Sequence, residues 1–128
     1  MPVVINSDYQ ISIWRPFGTI NLKLLVDELS EFAKLEKHMP KFNRFADLTE
    51  CDFSLIKFED IKQIYLMRKS VYNGPIVRSV FFIKTDLQYG IARMYQTLME
   101  DTPIIVDVFK TKKECADMLD VPLEILFP

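Results

Sequence analysis

Asp47, Glu50 and Asp52 sit close together in this 128-residue chain, and they are its strongest candidates for chemistry. They follow a stretch that reads as a strand, and ligands of an α/β sheet bind at the carboxyl ends of its strands. Carboxylates placed there could hold magnesium, as in a phosphate-receiving regulatory domain, or serve a metal-dependent hydrolase. Such a site also needs acids after the first strand, where this chain reads Trp14-Arg15-Pro16-Phe17. The plainer reading is a solvated polar loop, and neither a metal nor a cofactor is expected.

Other reaction types have less to work with. A Ser or Cys nucleophile needs a positioned base, and the sole histidine, His38, stands beside Pro40 at an expected helix end, where it reads as an exposed turn residue. There is no Gly-x-Ser-x-Gly elbow. Gly18, Gly74 and Gly90 are the only glycines, too few and too scattered for a phosphate-cradling loop or a dinucleotide fingerprint. Cys51 and Cys115 have no second ligand at metal spacing and read as two buried thiols, although a disulfide is not excluded. No catalytic residue is therefore assigned.

Binding residues are easier to nominate. Tyr89, Arg93 and Gln96 are polar groups on one expected helix, and Arg93 could hold a carboxylate or phosphate with its planar fork. Pairing with a surface acid is the commoner use of such an arginine. Gly90 costs that helix about 1 kcal/mol relative to alanine, so it implies close helix–sheet packing or, more sharply, close approach of a ligand. Lys34, Lys37, Lys41 and Arg44 form a small basic cluster that reads as a solvated helix end, its cations suited to the negative end of the macrodipole.

The elements that position these residues centre on Ile76–Phe109. Ile76–Lys84 is β-branched and aromatic, as a buried strand should be. Thr85-Asp86 can start a helix by accepting first-turn amides. Leu87, Ile91, Met94, Tyr95 and Leu98 then make one apolar face, Thr102-Pro103 breaks it, and Ile104–Phe109 is the next strand. Strand–helix–strand is a crossover unit, which belongs in an α/β sheet. Upstream, Val3–Ile5 reads as a short edge strand and Tyr9, Ile11 and Ile13 alternate as a half-buried one. A first helix is expected from about Asn21 to Lys37, with Leu22, Leu25, Val26, Leu29, Phe32 and Ala33 as its buried stripe. His38-Met39-Pro40 ends it. Phe42–Leu48 is a further strand, and a second helix spans about Phe58–Tyr72, stopped by Asn73-Gly74-Pro75 with the glycine in a left-handed position. Thr111-Lys112-Lys113-Glu114 is a capping box opening a last short helix. The tail Leu123–Phe127 is apolar enough to pack back or to meet a partner. About four helices and four or five strands thus form one domain over residues 1–128.

Composition closes off whole classes. At 49% hydrophobic and 12% aromatic the chain is no disordered segment. A formal charge of −2 gives no pull toward nucleic acid. No apolar run reaches the roughly 18 residues that cross a bilayer, and Met1–Asp8 lacks the basic and apolar regions of a signal peptide. A cytoplasmic location is the default expectation.

The segment Asp86-Leu87-Gln88-Tyr89-Gly90-Ile91-Ala92-Arg93-Met94-Tyr95, then Val106–Lys110 and Glu114–Leu119, resembles the C-terminal half of the STAS-like proteins, relatives in fold of the sporulation anti-anti-sigma factor with many uncharacterised bacterial members. The turn Gly18-Thr19-Ile20-Asn21 is similar to that family's lead into its first helix. The resemblance implies a mixed sheet with helices packed mainly on one side. It also implies regulation and binding rather than catalysis, either by docking on a protein partner, often a kinase-type anti-sigma factor, or by holding a small apolar ligand or lipid. In phospho-switch members a Ser or Thr stands where the middle strand's loop meets the next helix. Here that position reads Lys57-Phe58-Glu59-Asp60, without a hydroxyl, so any phosphorylation is expected at Ser54 or Thr49.

The leading expectation is a non-enzymatic regulatory or protein-interaction module, with a contact surface on Thr49, Asp52, Phe53 and Phe58 and with the two phenylalanines as apolar anchors. The alternative is a carrier of a small apolar or acidic lipid-like ligand in a pocket between helix and sheet, with Arg93 at its mouth and Tyr89 beside it. A homodimer is compatible with either.

Overall fold

The structure, a computed structural model, describes residues 2–39 and 41–128. Met1, and Pro40 with its expected role in ending the first helix, lie outside the described residues. The chain order is β1 (Val3–Asn6), β2 (Ile11–Trp14), β3 (Gly18–Thr19), α1 (Leu22–Glu36), β4 (Asn43–Asp47), β5 (Cys51–Asp52), α2 (Phe58–Val71), β6 (Val77–Phe82), α3 (Asp86–Leu98), a 3-10 turn (Met99–Asp101), β7 (Ile104–Phe109), α4 (Lys112–Leu119) and α5 (Leu123–Leu126).

The main sheet runs β1-β2-β4-β6-β7. Only β1 is antiparallel, paired with β2, so the sheet is mixed. β3 and β5 form a separate two-stranded patch within what the sequence presents as loop. β6–α3–β7 is the expected crossover unit. Its helix is capped by Thr85 rather than Asp86: the Thr85 hydroxyl accepts the Gln88 amide and the Gln88 side chain accepts the Thr85 amide.

Strand alternation sends side chains to two covered faces. Trp14, Ala46, Phe81 and Val108 point to the face that packs against α1, α2 and α3. Ile11, Ile13, Phe45 and Val80 point to the other, where α4 and α5 supply Cys115, Ala116, Leu119 and Leu126. Double coverage explains why Ile11, Ser12 and Ile13 are all buried, where simple alternation predicts a wet face. The apolar tail packs back on its own chain, with Leu126 fully buried and the Phe127 ring edge-on to Phe45 and Phe82. Cys51 and Cys115 are free, buried and on opposite faces. Burial pushes each thiol up to about 12, so neither presents a thiolate at neutral pH.

Two glycines serve differently from expectation. Gly74 is not left-handed. A Cβ there would sit 2.8 Å from the Tyr72 hydroxyl oxygen, so the residue is small because the Tyr72 ring folds over it. A Cβ at Gly90 would meet nothing within 4 Å, so close helix–sheet packing does not account for the glycine.

Candidate ligand-binding site

On the three-helix face a pocket of about 130 Å³ lies between the sheet and the helices. Its walls are largely apolar: Ile20 and Leu48 from loops, Leu25, Leu29 and Phe32 from α1, Ile61 and Ile64 from α2, Ile91 and Ala92 from α3, with Glu28 of α1 and Tyr95 of α3 as polar members. Trp14, Ala46 and Phe81 form the apolar part of the floor. The stripe of α1 was expected to be buried, yet Leu22, Leu25, Val26, Leu29, Phe32 and Ala33 are all only half-buried, and Glu36 is the one buried residue of that helix. The pocket lies beneath that half-buried stripe.

The polar end of the pocket is a buried ion cluster. Arg68 grips Glu36 with two hydrogen bonds, Nη1 to Oε1 at 2.9 Å and Nη2 to Oε2 at 2.5 Å. Arg44 reaches the same carboxylate with Nη2 alone, 2.7 Å from Oε2. The three side chains are 4–7% exposed. The rings of Phe32 and Tyr72 lie 5.2–5.9 Å from both guanidinium carbons, close enough to soften the charges. Burial works against the charge of Arg68, but its contacts with Glu36 and Tyr95 outweigh this and raise its pKa. Burial also pushes the Tyr95 phenol upward, against the pull of Arg68. Within the cluster two cations face one anion, and a second carboxylate, Glu28 of α1, also lines the pocket.

Arg44 corrects the reading of the basic cluster: it is not part of a solvated helix end but 6% exposed in β4. Glu36 and Arg68 escaped notice altogether. The available signal was a charge at an apolar beat, since Glu36 continues Leu25, Leu29 and Phe32, and Arg68 continues Ile61 and Ile64.

The nominated residues fare variously. Arg93 is exposed on α3, donates to Gln96 and does not line the pocket, so the cations there are Arg44 and Arg68 and not Arg93. Tyr89 is 41% exposed and also off the pocket, with the Lys110 ammonium over its ring. Phe53, expected as a surface anchor, is 4% exposed and lines the pocket from inside the core. Phe58 does stand out, at 51% exposed. Thr49 donates its hydroxyl to Asp47, and Arg15 holds the other Asp47 oxygen. Asp52 accepts the Ser54 amide, which lowers its pKa, and Ser54 itself is exposed. Asp47 and Asp52 thus shape the loop, and among the described residues no three His, Cys, Asp or Glu side chains gather as a metal site. Gln88 is buried and ties this loop to α3, donating to the carbonyls of Thr49 and Cys51. Among the described residues no helix is long and apolar enough to cross a membrane.

No family model and no curated protein matches the chain. Among solved structures it is similar to an uncharacterised protein of the DUF3478 family with a SpoIIAA-like fold from Shewanella loihica PV-4, at 17% identity over 92% of this chain and 90% of that one, with a TM-score of 0.59. The fold is therefore STAS-like, a mixed sheet with its longer helices on one side.

Proposed function

We propose that this STAS-like chain is a non-enzymatic binding module that holds a small, largely apolar ligand between α1 and the sheet. The observation that carries the reading is the apolar pocket beneath the half-buried stripe of α1. Natural cores pack to the density of organic crystals, and a benzene-sized void of about 150 Å³ is enough to bind an apolar guest. A space of 130 Å³ is of that order. Native mass spectrometry of the purified protein should show an extra mass that is released on denaturation. A bare chain mass, with no uptake of an added apolar probe such as toluene, would refute the carrier role.

A second reading keeps the regulatory module of the resemblance, and exposed apolar residues favour it. Leu55, on the turn before α2, and Phe58, the first residue of α2, stand 57% and 51% exposed, near Asp52 and Ser54 in sequence. Affinity capture from host lysate should then retain a protein that Phe58→Ser releases. Equal retention by both forms would remove this surface from consideration.

A further inference from the structure

The pocket's floor carries an unusual row. Register places Ser12 beside Arg44 and Arg44 beside Ser79 on three adjacent strands, and all three residues line the pocket. The next row along, Trp14, Ala46 and Phe81, is apolar. Small hydroxyl residues flank the arginine on the neighbouring strands. Glu36 engages Nη2 of Arg44, whereas among the described residues Nε and Nη1 are buried without a hydrogen-bond partner, and so is the indole Nε1 of Trp14. Buried donors are nearly always satisfied in folded proteins, by protein groups, ordered water or a ligand. Here the unsatisfied ones belong to residues that line one pocket, next to a cluster of two arginines and one carboxylate.

Building on the pocket proposed above, we infer that it takes a small monocarboxylate, with a compact apolar body over Trp14 and Ala46 and its carboxylate on Arg44. The anion supplies the acceptors that Nε and Nη1 of Arg44 lack. A charge-assisted hydrogen bond made out of water is the strong kind. Size sets the body: 130 Å³ accommodates a phenyl ring or a short branched chain, and a long acyl chain would need α1 to lift.

Trp14 is the only tryptophan and lines the pocket, so its fluorescence reads occupancy in the full chain directly. The probes are phenylacetate, its neutral isostere phenylacetamide, and toluene. Phenylacetate is expected to bind on the order of tenfold or more tighter than phenylacetamide, the size of one charge-assisted bond. Arg44→Met should abolish that preference while toluene still binds. Equal affinity for the acid and the amide in the wild type would overturn the carboxylate assignment and leave the apolar pocket standing. This comparison needs no variant to fold. No response to any probe, toluene included, would overturn both the assignment and the pocket.

Discussion

Arg68→Met is expected to destabilise the protein by about 3–6 kcal/mol, since two charge-assisted hydrogen bonds of about 1.5–3 kcal/mol each are lost. Arg44→Met should leave stability within about 1 kcal/mol of the wild type, or raise it. The asymmetry comes from how each arginine is satisfied. Without Arg68, Glu36 keeps a single hydrogen bond from Arg44 and loses two. Without Arg44, Glu36 retains the two-bond grip of Arg68, and the remaining pair is neutral. The lost Arg44 bond contributes about 1.5–3 kcal/mol, but two buried N–H groups without partners, at about 1–3 kcal/mol each, are relieved with it. Methionine also keeps a favourable contact with the Phe32 and Tyr72 rings. Urea denaturation of the three proteins without ligand measures the difference. Equal losses in both variants would mean that Arg44 is simply a structural ion-pair partner. A residue whose removal spares the empty protein but abolishes carboxylate binding is kept for its ligand.

How legible this was depended on whether a residue's neighbours in space were also its neighbours in sequence. The β6–α3–β7 unit was readable because its strands, cap and breaker are local, and Ile104–Phe109 has the bounds its composition predicts. The first-helix bounds were close for the same reason, with Asn21 capping α1 by accepting the Leu24 amide. β3 and β5 were not readable: two-residue strands have no period, and their pairing joins Gly18 to Cys51 across the chain. The role of Gly74 depended on the Tyr72 ring folding back over it. The site depended on longer reach still. Glu36, Arg44 and Arg68 come from α1, β4 and α2, and each alone looks like a surface charge. Their apolar-beat positions hinted at burial, but only the fold brings two cations to one carboxylate. Arg93 drew attention because it stands alone on its helix, which is a property of an exposed residue as much as of a site.

The two faces of the sheet should answer the same substitution differently. Leu126→Ala is expected to cost about 3–5 kcal/mol, the upper part of the range for a buried leucine. Leu126 is fully buried against Phe45, Val80 and Leu119, and a rigid sheet on one side cannot collapse into the void. Leu29→Ala on α1 should cost only about 1 kcal/mol, because a half-buried side chain forfeits about half its transfer energy and enlarges a space that already exists. Chemical denaturation of the two variants without ligand gives both numbers. Comparable costs would mean that α1 is packed as tightly as α5 and that the pocket beneath it is not a real void. The ligand experiment then inverts the ranking. Leu126 does not line the pocket, so Leu126→Ala should keep the wild-type affinity for phenylacetate in its folded fraction, whereas Leu29→Ala should change it despite its mild effect on stability. Such a crossing of stability and binding effects would separate a face that holds the fold together from a face left loose enough to take a guest.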